Sequence, residues 1–220
     1  FLGIHDSPLQ EKASYTLSLR TTDADINRKI APFKSNEKIP RKIVEVPMYI
    51  SVDEFARIVT YIRQHYSIRE EIIVRLMFQC GLRIGEVLGL TAEDLKMVKI
   101  DNNYVPMAYI RNRVSDSVDQ CAKTCMKIYN KLQYKSKDYS VEGFGYQYVV
   151  LPQDLFDLID EYIEAEHVKA RESQKAQGRY YKKTIADSVE GEDENYYIFL
   201  NSLFTPLHSH AWNVILRDIF

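Results

Sequence analysis

A chain of 220 residues that is 45% hydrophobic and 27% charged, with eight Gly and seven Pro, has the composition of a globular protein able to bury a core; it is not disordered, collagenous or built of repeats. Its 29 basic and 31 acidic residues leave a net charge of -2, so no global field points to nucleic acid or a membrane, and any such function has to be local. No apolar run nears the roughly 18 residues that cross a bilayer, no secretory leader opens the chain, and three Cys argue against a disulfide framework, which together imply a soluble cytoplasmic protein. The absence of an initial Met and the uncapped apolar helical pattern ending at Ile219-Phe220 read as a piece of something longer.

Residues 1–48 carry Pro8, Pro32 and Pro40, a basic cluster at Lys38, Arg41 and Lys42, and little periodicity, as suits a linker or the end of a preceding domain. From residue 49 the pattern is that of a folded domain. Ser51-Val-Asp-Glu54 is a capping box opening a helix with Phe55, Ile58, Val59 and Ile62 on one face. A second helix is expected from Ser67 to Gln79, with Ile68, Ile72 and Leu76 in line, and Gly81 stops it. Ile84, Val87, Leu88 and Leu90 begin another short helix at once, which puts Arg83 at a helix-to-helix junction. Thr91-Ala-Glu-Asp94 starts a brief turn.

Strand character runs from Val98 to Leu151, with Val105, Met107 and Tyr109 alternating and Tyr146–Leu151 aromatic and β-branched, giving a small antiparallel sheet. Gly143-Phe-Gly145 turns the chain before its last strand. Residues 152–169 return to helix, 169–195 are a charged extension and loop, Tyr196–Leu200 is a short buried strand, and Ser209–Phe220 is a final amphipathic helix. The expected class is therefore mainly α with a small antiparallel β-sheet, α+β, preceded by a linker.

Charge is unevenly spread. Residues 111–137 hold seven basic and two acidic side chains, a basic island, whereas 138–220 hold seven and 15. The densest chemical signal precedes the island: Cys80-Gly-Leu-Arg-Ile-Gly-Glu-Val-Leu-Gly-Leu90, then Thr91-Ala-Glu-Asp-Leu95. An arginine directly after a helix-ending Gly-Leu, with an acid three residues on to grip its guanidinium, makes a pre-organised anion clamp.

This stretch resembles the first arginine motif of the tyrosine recombinases, the phage-integrase family, whose pattern is close to Gly-Leu-Arg-x-x-Glu-x-x-x-Leu followed by a short Asp-containing turn. The resemblance extends over roughly residues 40–220: Val149-Val-Leu-Pro152 and its following helix are similar to the family's Val-Pro-Leu segment, and Phe199-Leu-Asn with Thr205-Pro-Leu207 to the stretch upstream of its second catalytic box. It implies a catalytic-domain-like fold that cuts and rejoins DNA through a 3'-phosphotyrosyl link. It also implies that Arg83 binds the scissile phosphate, that Glu86 orients Arg83, and that a lysine on a β-hairpin protonates the leaving 5'-oxygen. Lys135, in a Lys135-Ser136 pair similar to the family's Lys-Thr, and Lys137 both stand where that lysine is expected.

Arg111, Arg113, Lys123, Lys127 and Lys131 are the candidate DNA-backbone contacts, since phosphate contacts need charge but little geometry. The resemblance implies duplex DNA and sister protomers, as a tetramer on paired sites, for partners; no metal, cofactor, membrane or small-molecule substrate is implied. The family's His-x-x-Arg box is missing, because Ala170, Ala211 and Asn213 follow three residues after His167, His208 and His210. Tyr196 and Tyr197 fall by pattern in a core strand, so the nucleophile is expected beyond this chain and the segment alone to be inactive. Cys121-x-x-x-Cys125 has no second pair for zinc. Two other readings stay open: a non-catalytic DNA-binding relative, and a helical protein-interaction module.

Overall fold

A computed structural model describes residues 49–140, 145–176, 184–191 and 194–220. The linker expected over 1–48, and most of the Gly143-Phe-Gly145 turn, lie outside the described residues.

Helix α1 spans Val52–His65 and starts on the expected capping box, with the Ser51 amide donating to Glu54 Oε2 at 2.8 Å and the Glu54 amide to Ser51 Oγ at 3.3 Å. Helix α2, Ile68–Phe78, lies at the centre of the fold, with Ile72, Ile73, Val74 and Leu76 fully buried. Three charged residues of α2 are buried with them, and each is paired. Glu71 holds Arg63 of α1 at 2.6 Å, Arg75 reaches Asp154 at 2.5 Å, and Glu70 pairs with Arg69. Buried charges survive only with such partners, and an amphipathic pattern hides this where, as for Glu71 and Arg75, the partner comes from another element.

Helix α3, Ile84–Leu88, leads through the Thr91–Asp94 turn into a three-stranded antiparallel sheet ordered β1-β2-β3 (β1 Leu95–Ile100, β2 Asn103–Arg111, β3 Tyr146–Val150). The sheet begins three residues earlier than the alternation from Val98 suggested. β1 and β2 form a tight hairpin whose turn residues, Asp101 and Asn102, take φ of 45° and 72°, a left-handed pair that Asp and Asn tolerate. In the register Leu95 opposes Ala108 and Ala108 opposes Val149, which sets these three on the face packed against the helical core.

β2 and β3 pair antiparallel as the sequence suggested, but the connection between them is not a simple hairpin tip. After Arg111 the chain leaves the sheet and folds as its own excursion, through 3-10 turns at Val118–Gln120 and Lys131–Lys135 and the one-turn helix α4, Lys137–Ser140. Asn112, 4% exposed, is its pin: the side-chain amide fans onto the carbonyls of Ala122, Cys125 and Met126 at 2.9–3.1 Å, and Oδ1 accepts the Ala122 amide at 2.7 Å. Ile128, Tyr134 and Tyr139 make a small second core beneath the excursion. A few buried side chains replace strand pairing here, and strand periodicity could not report that.

Helix α5, Gln153–Ala176, follows Pro152 and packs Leu155, Ile159 and Tyr162 against α2; it runs beyond the expected 169. Tyr197, Ile198, Phe199 and Leu200 are buried as expected and Tyr196 partly so, but the segment is held by isolated pairings, Thr91 with Tyr197 and Ile185 with Tyr196, in place of a continuous strand. Helix α6, Ser209–Ile219, closes the core with Trp212. The fold is thus helix-rich with a small antiparallel sheet, the α+β class expected. Among the described residues no helix is long and apolar enough to cross a membrane.

Candidate functional site

Arg83 is aimed by the helix-to-helix junction. Gly81 turns the chain at φ +69°, the Leu82 amide returns to the Leu76 carbonyl at 3.2 Å, and Arg83 becomes the residue that caps α3. Glu86 grips it twice: the Arg83 backbone amide donates to Oε2 at 2.8 Å and guanidinium Nη1 to Oε1 at 3.4 Å. The Glu86 side chain is 6% exposed and that of Arg83 64%, so a buried carboxylate anchors a guanidinium whose remaining N–H groups face solvent. Thr124 of the excursion donates its hydroxyl to Glu86 Oε1 at 3.0 Å. Glu86 therefore couples the arginine to the segment that carries Lys123.

Arg83, Gly85, Val118, Asp119, Lys123 and Ser209 line a cleft of about 240 Å³ between α3, the excursion and the start of α6. Two glycines let its walls close. A Cβ on Gly85 would lie 2.7 Å from the Cys121 carbonyl oxygen, and one on Gly89 2.6 Å from that of Gln120. Asp119 joins the excursion to α6 by accepting the Ser209 amide at 3.1 Å, the Ser209 hydroxyl, and His208 Nδ1 at 2.8 Å. The Ser209 hydroxyl foremost, then His208 and the Ser209 amide, hold the Asp119 carboxyl below the usual range against the opposing effect of burial. Arg83 and Lys123 both line this cleft, with the Asp119 carboxylate beside them; a rigid guanidinium fork and a flexible ammonium are two kinds of donor to an oxyanion.

Of the residues singled out from the sequence, Arg83, Glu86 and Lys123 come together. Lys135 ends a 3-10 turn and Lys137 opens α4; both are exposed, and neither lines the cleft. Lys127 Nζ stands 5.3 Å from the centroid of the Tyr129 ring, and Lys131 pairs with Asp187 at 2.9 Å.

Arg111 and Arg113 are the clear correction, because they are interior. Arg113, its side chain fully buried, bonds Asp94 Oδ1 at 2.7 Å, Glu93 Oε1 at 2.9 Å and the Asp187 carbonyl at 3.0 Å. Burial alone would lower its pKa, but Asp94 and Glu93 raise it instead. Arg111, 3% exposed, has Nε 2.9 Å from Asp94 and its guanidinium over the rings of Tyr109 and Tyr146. Neither has a free face for a phosphate; both lock the Thr91–Asp94 turn to the end of β2.

Beside them Asp116 accepts the Tyr197 hydroxyl at 2.7 Å and the Arg113 amide at 2.6 Å, and burial nevertheless pushes its carboxyl up to about 6. Tyr197 is thus a buried partner of Asp116, its hydroxyl pKa raised first by burial. His167 is buried with its ring on the Ile198 carbonyl. Cys125 donates to the Ile110 carbonyl at 3.2 Å.

Sequence reasoning placed Lys123 among backbone contacts and passed over Asp119 and Thr124. Asp119 carried no local signal, because its partners stand about 90 positions away in sequence.

No protein-family model matches the chain, and no curated protein does. Among solved structures, one described as the crystal structure of XerA recombinase is similar at 14% identity and a TM-score of 0.43, over 82% of this chain and 43% of that one. The likeness is distant, and the chain spans less than half the length of that structure.

Proposed function

We propose that this chain supplies the phosphate-holding part of a tyrosine-recombinase-type active site, within a catalytic-domain-like fold, and that its partner is duplex DNA. The observation that carries the reading is the single cleft shared by a Glu86-anchored Arg83 and Lys123, in a chain whose Gly81-Leu-Arg83 stretch resembles the family's first arginine motif.

In this reading the Arg83 fork takes two non-bridging oxygens of the scissile phosphate, whose charge grows as phosphorus becomes crowded; a fixed donor of this kind is worth about 10²- to 10³-fold in rate. A tyrosine oxygen supplied from outside this chain forms the new bond to phosphorus while the bond to the 5'-oxygen breaks. The ammonium of Lys123 gives its proton to that leaving oxygen, a contribution of about 10²- to 10⁴-fold. Lys123 takes this role in preference to Lys135 and Lys137 because it lines the same cleft as Arg83 and they do not. The phosphotyrosyl link conserves the bond energy, and a second strand's 5'-hydroxyl reverses the step. Lys127 and Lys131 remain as phosphate contacts at the margin.

The test is duplex affinity at two salt concentrations. The expected result is binding that weakens steeply as salt rises, with Lys123→Gln and Lys127→Gln each lowering the slope of log affinity against log salt by about 1. A chain that fails to bind duplex at either concentration overturns the reading and leaves the protein-interaction module.

A further inference from the structure

The excursion between β2 and β3 holds out two large apolar side chains on a rigid support. Asn130 caps the 3-10 turn Lys131–Lys135, its Oδ1 accepting the Gln133 amide at 3.3 Å. Gln133 reaches back, its Oε1 accepting the amides of Tyr129 at 2.6 Å and Asn130 at 3.2 Å. Below the turn Ile128 and Tyr134 are buried with Tyr139, and the Tyr134 hydroxyl accepts the Val114 amide at 2.8 Å. The turn is fastened at both ends, yet Tyr129 is 70% exposed and Leu132 79%. An aromatic and a leucine three positions apart are thus held at the surface on a fastened turn, beside a core that begins at the adjacent Ile128.

Their surroundings indicate the ligand. Lys127 Nζ stands over the Tyr129 ring, and the segment from Arg111 to Lys137 carries seven basic residues against two acidic, with Arg111 and Arg113 turned inward and the five lysines outward or at the surface. The flat Tyr129 ring beside Lys127, with the apolar Leu132 three positions on, matches a nucleobase next to its phosphate. Every base has a π-face, and pre-organisation spares the entropy of ordering the platform.

We propose that Tyr129 and Leu132 form a stacking platform for a nucleobase unstacked from the duplex, with Lys127 beside them taking an adjacent phosphate. The platform rests on the reading of duplex DNA as the partner and adds a preference for locally opened DNA that the phosphate cleft alone does not supply. Stacking of one base on an aromatic side chain corresponds to about 5- to 150-fold in affinity.

The experiment compares two labelled duplexes of equal length, one intact and one with a short single-stranded gap that carries 2-aminopurine, against the full chain and against Tyr129→Ala, Tyr129→Phe and Leu132→Ser. The full chain is expected to bind the gapped duplex at least about 5-fold more tightly than the intact one, with a change in 2-aminopurine fluorescence. Tyr129→Ala and Leu132→Ser should lose most of that preference while keeping affinity for intact duplex, and Tyr129→Phe should retain it. If the full chain and Tyr129→Ala bind both duplexes equally, the platform is wrong and the DNA reading stands. If neither duplex is bound, the proposed function fails and the platform with it.

Discussion

Gly85→Ala is the perturbation that most sharply probes how the cleft is built. The new Cβ would lie 2.7 Å from the Cys121 carbonyl oxygen, roughly 0.7 Å inside the 3.4 Å at which ordinary contact begins. The obstacle is backbone, so no side chain can swing aside; α3 and the 119–121 segment have to separate. Overpacking of this kind costs about 1–3 kcal/mol, which for a chain of this size is a fall of roughly 2–12 °C in Tm. The displaced segment leads into Lys123 and Thr124 and contains Asp119, so the cleft should be disturbed along with the packing: Thr124 leaves Glu86, and Arg83 and Lys123 no longer line one cleft. Thermal unfolding by circular dichroism, paired with low-salt duplex affinity, reads both effects. Gly81→Ala is the control. Its φ of +69° adds strain of about 1–2 kcal/mol, but a Cβ there meets nothing within 4 Å, so affinity per folded molecule should stay as it was. Gly85→Ala with an unchanged melting temperature and unchanged affinity would refute the close packing of the excursion on α3.

Two further outcomes follow from the interior and a third from the proposed reaction. Arg113→Ala strands Glu93 and Asp94 in the core and should cost about 3–5 kcal/mol, while the folded fraction keeps its duplex affinity and salt slope; a slope lower by about 1 would return Arg113 to the DNA-contacting set. Asp116 has a native pKa raised to about 6 from an ordinary 3.8. Its stabilising contribution is therefore complete below 3.8 and is lost as pH rises through about 6. Melting temperatures across that window should show the loss in the parent chain and a flatter profile in Asp116→Asn; parallel profiles would contradict the assignment. Finally, the chain alone should turn over no suicide substrate, because the proposed nucleophile is supplied from outside it. A covalent DNA adduct formed by the isolated chain would show a tyrosine within it to be reactive.

What the sequence made legible was local. The Ser51–Glu54 box, the apolar lines of α1, α2 and α6, and the Gly81-Leu-Arg83 junction all depend on residues within one or two turns of each other, and each formed close to its expected place. Pairings across long separations were not legible. Arg111 and Arg113 read as surface charge in a basic island because the acids that bury them, Glu93 and Asp94, lie 17 to 20 positions upstream on a turn whose own reading was only that of a helix start. The excursion read as a hairpin because the strands around it are real, and a polar pin such as Asn112 leaves no periodic trace. Lys123 lines the cleft with Arg83 although the sequence placed it among the backbone contacts, because no local pattern reports how closely the 119–121 segment packs on α3.

The most direct test of the shared cleft is a double-mutant cycle on duplex binding between Arg83→Ala and Lys123→Ala, run beside the same cycle between Arg83→Ala and Lys135→Ala. Two cations holding one phosphate should couple, so the first cycle is expected to be non-additive by at least about 0.5 kcal/mol and the second additive within about 0.3–0.5 kcal/mol. Additivity of Arg83 with Lys123, together with coupling of Arg83 to Lys135, would contradict the account.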